Sequence, residues 1–482
     1  MPDLRSVGYV IGLLVTVLGF TMLIPMVFDL IDGTYNWASF AASALISILV
    51  GMTLAISCAN SVRSGLSIQQ TFLLTSSVWL VLPVFGALPF FFGETGLRVV
   101  DAFFEAMSGM TTTGATVLVE IEELSRGIQL WRGLLQWLGG IGIIVVAMAF
   151  LPELRVGGMQ IFRSEGFDTF GKILPRAGEI AQRISVIYLA LTVMCALAYF
   201  ATGMSGFDAV VHSMTTISTG GFSNYDLSFA AFGTLTEYFA VLFMMLAALP
   251  FVRFVQLMSG SAKPLLCDSQ IRSFFVTALT LVVCLAVWKM TTMGMTGEEV
   301  FRKSLFNTVS LLTGTGYVSG NYMEWGGFAI TLLFAAGLIG GCAGSTSCSI
   351  KIFRYQLLFE SVKVQLRRIR TPHGIFTPQY DGRAVSDDVL NSVMSFFVFF
   401  FATLGVVSVA LGLTGLDFTT SVSGAAAALG NIGPGMGDHI GPSGNFSGLN
   451  DLAKWILSFS MFIGRLELLA VFAIFTLRFW RS

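Results

Sequence analysis

TTTGAT at 111–116, ISTGGF at 217–222, TGTGYV at 313–318 and GNIGPG at 430–435 read as four versions of one turn. Aligned on the central glycine they put Gly114, Gly220, Gly316 and Gly433 in register, 106, 96 and 117 residues apart. Each turn closes a short apolar stretch, near 99–110, 207–217, 301–311 and 416–429. A bilayer core is about 30 Å thick and takes about 20 helical residues to cross, so these stretches suit half-helices that enter and return. Non-helical backbone at membrane depth persists only where protein buries it or where it lines a watery path. One such turn is an ordinary helix C-cap or packing contact. Four in register point to a pore.

The rest of the chain has the composition this requires. Of 482 residues, 55% are hydrophobic and 11% charged, and mean hydropathy is +0.79. Soluble domains carry about a quarter of their residues as charges. Ten full-length apolar segments lie near 7–30, 37–58, 69–92, 128–151, 183–203, 234–258, 271–293, 327–350, 389–413 and 453–478. The first is too long for the apolar region of a signal peptide and reads as a retained span. The predicted fold class is therefore all-α integral membrane, with ten transmembrane helices and four re-entrant pore half-helices in pseudo-four-fold repeats.

Lysine and arginine orient the chain, because short cytoplasmic loops carry them in excess. The loop at 153–183 holds five, from Arg155 to Arg183, and the loop at 351–383 holds seven, from Lys351 to Arg383. The stretch 204–237 has none, and holds Asp208, Asp226 and Glu237. Both termini are then cytoplasmic, and all four half-helices enter from outside. The run Arg367–Arg370 reads as an inner-leaflet anchor.

The chemistry of the turns follows from what a dehydrated cation needs, which is oxygens in place of its water shell. A ring of backbone carbonyls supplies them, and glycine reaches the backbone angles that aim successive carbonyls one way. The candidate site comprises Thr112, Thr113 and Gly114; Ser218, Thr219 and Gly220; Gly314, Thr315 and Gly316; and Asn431, Ile432 and Gly433. None carries a formal charge, so the carbonyls must bind. The half-helices end at the turns, and their partially negative C-termini favour cations.

These turns, with LGGIGI at 138–143, GGCAGSTS at 340–347 and IGRLELL at 463–469, resemble the Trk/Ktr/HKT superfamily of potassium transporters, and within it the TrkH-type membrane subunit. The resemblance covers nearly the whole chain. It implies an N-terminal two-helix unit (1–62) and four M1–pore–M2 repeats, at 63–178, 179–262, 263–383 and 384–482. It implies potassium (K+) as the transported ion bound at the filter residues, since glycine in every repeat accompanies potassium preference; Pro434 makes the fourth repeat divergent. It also implies an intramembrane gating loop with Gly340, Gly341, Gly344, Ser345 and Thr346. Cys348 and Ser349 stand in that loop where further glycine is expected. The same resemblance implies a homodimer in the bacterial cytoplasmic (inner) membrane, docked on a cytosolic nucleotide-binding regulatory subunit of the TrkA type. The chain has no GxxxxGK[ST] of its own, and no organic cofactor is expected.

Other classes fit worse. The net charge of −1 argues against nucleic acid binding. Neither the three scattered histidines nor the six cysteines make a metal-ligand pattern. No convergent acid, base and nucleophile set marks an enzyme. A secondary symporter coupled to sodium or protons is the alternative, but such folds often use inverted repeats, and here all four modules point one way. Arg465 falls near the middle of the last apolar segment, where a charge costs about 2.5–3.5 kcal/mol on insertion scales. Two readings stand: a buried ion pair with a carboxylate on another span, or a gate below the filter. The resemblance favours the second.

Overall fold

The computed structural model describes residues 4–61, 67–149, 177–294, 297–466, 468, 471–472 and 476. Six of its helices are long and apolar enough to span a membrane, seven if one sharply bent pair counts as a span. Two helices, α1 (Arg5–Thr21) and α2 (Leu23–Asp32), run on through Met22, and α3 (Trp37–Cys58) returns beside them. Glycine sets that contact: a Cβ on Gly12 would lie 2.6 Å from the Ala55 nitrogen, and one on Gly51 2.5 Å from the Thr16 hydroxyl. In a bilayer such small residues let helix backbones approach.

The repeats follow. The first has α4 (Ile68–Gly86), α5 (Leu88–Phe92), the short α6 (Val99–Met110) and α7 (Arg126–Ala149). The second has α8 (Ala177–Ala201), the short α9 (Gly206–Ile217), α10 (Thr234–Ala247) and α11 (Phe251–Met258). After the brief α12 (Lys263–Cys267), the third has α13 (Ser269–Thr292), the short α14 (Glu298–Thr313), α15 (Gly327–Leu338) and α16 (Ile352–Arg370). The fourth has α17 (Asp387–Leu413), the short α18 (Phe418–Gly430) and α19 (Asp451–Arg465). Side-chain caps start two of the short helices: the Ser205 hydroxyl accepts from the Asp208 N–H at 3.0 Å, and Asp417 accepts from Thr420 at 3.1 Å.

Four expected elements differ. The segment 234–258 is not one straight span: it turns by 89° between α10 and α11, where Pro250 has no N–H to continue the helix. The segment 327–350 is helical only to Leu338, and the chain then runs irregularly to Lys351. The stretch 351–383, read as a loop, begins instead as the 19-residue α16 and continues into a small hairpin of β1 (Gln379–Tyr380) and β2 (Arg383–Ala384). The last segment is broken too. Its helix ends at Arg465, and Leu468 takes a left-handed φ of 49°. The basic loop at 153–183 lies outside the described residues except for its end.

Buried ion pairs fasten the short helices to their neighbours. Arg132 of α7 meets Glu105 of α6 at 2.9 Å, with both side chains almost wholly buried. Lys454 of α19 reaches Asp101 of α6 at 2.6 Å, joining the last repeat to the first. Arg302 and Lys303 of α14 share Glu237 of α10 at 2.7 and 2.8 Å, joining the third to the second. A charge taken out of water survives where it is paired and hydrogen-bonded.

Candidate ion pathway

Each short helix ends in the same backbone sequence. A left-handed residue is followed by an ordinary one and then by a left-handed glycine: Thr112 and Gly114, Thr219 and Gly221, Gly314 and Gly316, Asn431 and Gly433. The residue between them closes the helix by donating its N–H five residues back: Thr113 to Ser108, Gly220 to Thr215, Thr315 to Ser310 and Ile432 to Ala427, at 2.8–2.9 Å.

These turns form a closed ring. A Cβ on Gly114 would lie 2.2 Å from the Gly220 carbonyl oxygen, and one on Gly221 1.8 Å from that of Thr315. One on Gly316 would lie 1.9 Å from that of Ile432, and one on Gly433 2.7 Å from that of Thr113. Each repeat's glycine thus backs onto the carbonyl of the next, and the fourth returns to the first. All four glycines open onto one cavity of about 180 Å³, which Thr116, Arg132 and Asp226 also line.

The ring corrects the register in the second repeat. Gly221, not Gly220, is the counterpart of Gly114, Gly316 and Gly433, so the matching triplet is Thr219, Gly220 and Gly221. Ser218 sits one step earlier, at the end of α9, with its hydroxyl donating to the Thr215 carbonyl at 3.2 Å. The two adjacent glycines made the alignment ambiguous. Gly220 itself needs no positive φ; a Cβ there would strike the Gln136 side chain at 2.3 Å. That amide donates to the Gly220 carbonyl at 2.6 Å and accepts from the Phe222 N–H at 3.0 Å.

A second repeating feature was missed in the sequence. Glu105, His212 and Asn307 each stand eight residues before the middle residue of their turn, and each accepts from the backbone N–H four residues after it. The acceptances are from Val117 at 3.0 Å, Asn224 at 3.4 Å and Ser319 at 3.3 Å. In the fourth repeat that place is Gly424, and Ser423 beside it accepts from Met436 at 2.8 Å. The His212 ring takes Asp208's carbonyl at Nδ1 (2.9 Å), so Nδ1 carries the proton and Nε2 accepts. Polar residues at matching offsets inside apolar half-helices were the available signal.

Below the ring, residues 339–351 cross the molecule. On one side the Cys342 N–H donates to the Ala248 carbonyl at 3.0 Å and the Thr346 hydroxyl to Ala247 at 3.0 Å, while the Gly344 carbonyl accepts from Phe251 at 2.9 Å. The bend between α10 and α11 therefore exposes carbonyls that the loop uses. On the other side Ser349 donates its N–H to the Gly430 carbonyl at 3.0 Å and its hydroxyl to Gly337 at 2.6 Å. Within the loop, Gly340 donates to Ile350 at 2.9 Å, Gly341 to the Ser347 hydroxyl at 2.8 Å, and the Ser345 hydroxyl to the Cys342 carbonyl at 2.7 Å.

Arg465 meets this loop. Its Nη1 donates to the Cys348 sulfur at 2.8 Å and its Nη2 to the Gly139 carbonyl at 3.2 Å, and its guanidinium carbon lies 5.3 Å from the centre of the Trp79 ring. Among the described residues no carboxylate pairs with it. Its partner in the loop is the Cys348 thiol. Gly139 and Gly464 explain two of the glycine-rich motifs. A Cβ on Gly139 would lie 1.9 Å from the Met110 carbonyl oxygen, and one on Gly464 2.2 Å from that of Leu429. Met110 and Leu429 each stand three residues before the middle of their turns, so both glycines let a following helix press on the end of a short one.

Fold and ring together define a predominantly helical, multi-pass membrane protein in which four short helices bring their closing turns into one ring. The chain belongs to the TrkH family of cation transport proteins, whose family model matches residues 38–479. It is 41% identical to the Trk system potassium uptake protein TrkI of Halomonas elongata, over 98% of this chain and 96% of that one. It is 37% identical to the Trk system potassium uptake protein TrkH of Escherichia coli, over 99% of each. The crystal structure of the potassium transporter TrkH from Vibrio parahaemolyticus superposes with a TM-score of 0.91 at 33% identity, over the full length of both chains.

Proposed function

We propose that this chain takes potassium into the cell, as the names of its relatives indicate for them, and that the ion passes through the ring. The observation that carries the reading is the closed cycle of glycine against carbonyl through all four repeats, opening onto one cavity. Carbonyls of Thr112–Gly114, Thr219–Gly221, Gly314–Gly316 and Asn431–Gly433 replace the ion's water. The four short helices are re-entrant and bring partially negative ends to the path. Ten spans place both termini in the cytoplasm of a bacterial inner membrane, with a two-helix unit at 1–62 and repeats at 63–178, 179–262, 263–383 and 384–482.

Beneath the filter, the loop with Gly340, Gly341, Gly344, Ser345 and Thr346 closes the path, and Arg465 holds it shut by contact and by charge. Opening needs the loop to leave the axis. A second copy of the chain and a cytosolic nucleotide-binding subunit of the TrkA type complete the assembly, the latter docking on 153–183 and 351–383. Flux through liposomes holding the purified protein tests the reading. Potassium must move down its own gradient without added sodium or a proton gradient, and dependence on either would give the coupled symporter instead.

A further inference from the structure

Cys348 occupies the most exacting point in the loop. Its sulfur lies 3.7 Å from the Thr112 hydroxyl of the first repeat. Its Cβ is 3.3 Å from where a Cβ on Gly314 of the third repeat would stand. The glycine–carbonyl cycle runs first to second to third to fourth repeat, so the first and third are diagonal corners of the ring. A side chain in contact with both lies across the axis, directly beneath the filter. The same sulfur accepts from Arg465 at 2.8 Å and is itself within 3.7 Å of the Thr346 carbonyl.

Arg465 is poorly served for a buried cation. It is 4% exposed, and among the described residues its Nε has no partner and one of its two acceptors is sulfur. Sulfur is a weak acceptor beside a carbonyl or hydroxyl oxygen, and an under-satisfied buried charge favours any rearrangement that re-solvates it. The contact is therefore firm enough to hold and weak enough to release.

We propose that Cys348 is the latch of the gate: its thiol side chain, rather than the loop backbone, takes the Arg465 guanidinium and sets how readily the path opens. This rests on the gate reading above and adds to it a positioning residue that acts through Arg465. A substitution that removes the acceptor frees the arginine. One that supplies a better acceptor tightens it.

The test is potassium flux in liposomes, with melting temperature measured on the same preparations, for Cys348→Ala, Cys348→Ser, Arg465→Ala and the double variant Cys348→Ala/Arg465→Ala. Cys348→Ala raises flux by about three- to tenfold, the scale of one ordinary hydrogen bond, because sulfur accepts more weakly than oxygen. Cys348→Ser leaves flux at or below that of the parent, because the hydroxyl oxygen accepts more strongly. The double variant matches Arg465→Ala alone, since the thiol has nothing left to hold. A purely packing role would move Ala and Ser in the same direction. If Arg465→Ala raises flux and Cys348→Ala does not, the latch is overturned and the gate stands; unchanged flux in folded Arg465→Ala overturns the gate and the latch with it. Should Cys348→Ala fail to fold, the Ser variant decides: flux above the parent overturns the latch.

Discussion

Replacing Gly221 by alanine perturbs the ring at one corner. The added Cβ would lie 1.8 Å from the Thr315 carbonyl oxygen. Ordinary van der Waals contact is near 3.5 Å, so that oxygen or the turn itself must move by roughly 1.7 Å. The left-handed φ of 77° at Gly221 adds about 1–2 kcal/mol of backbone strain for any other residue. A carbonyl moved that far no longer coordinates an ion held by the remaining three. Loss of about 1.4 kcal/mol of preference is tenfold in selectivity, and the potassium-to-sodium flux ratio in liposomes should fall by at least about that factor. Gly203→Ala is the control for strain alone, because Gly203 has φ 100° and nothing within 4 Å of a Cβ; it should keep the ratio. A folded Gly221→Ala protein with the parent's flux ratio would refute the assignment of Gly221 to the ring.

Three further outcomes follow from named contacts. Arg465→Ala should raise potassium flux and keep potassium preference, because the filter is untouched; lowered melting temperature with no gain in flux would make the arginine structural. Glu105→Ala leaves Arg132, 1% exposed, without its carboxylate and the Val117 N–H without its acceptor. It should cost about 3–5 kcal/mol, and an unchanged thermal unfolding curve in detergent would mean the pair contributes nothing. Purification from native membranes should recover a soluble nucleotide-binding subunit, and full regulated transport by this chain alone would count against the docking role of 351–383.

Apolar length made the helices legible, because a bilayer core imposes a minimum length on anything that crosses it. The turns were legible because glycine is needed where φ is positive. The places that failed have physical reasons. ISTGGF offers two adjacent glycines, and only the approach to the Thr315 carbonyl shows that the second is needed in the ring, while the first is there to admit Gln136. The bend at Leu249–Pro250 kept its hydrophobicity, so composition read it as continuous. Helix α16 is polar enough to pass for a loop, and its helicity follows from packing of Phe353, Leu357 and Val364. Glu105, His212 and Asn307 differ in type, so identity hid a set that shares only position. In the sequence Cys348 marks only a position where further glycine is expected, since nothing there shows that Arg465 reaches it.

Whether four repeats hold one cation between their carbonyls is tested most directly by locating the ion. Anomalous scattering from crystals grown with thallous ion, a heavy stand-in for potassium, should show a peak on the axis within the oxygens of Thr113, Gly220, Thr315 and Ile432. Thallous density confined to surface carboxylates such as Asp226, with none inside the ring, would contradict it.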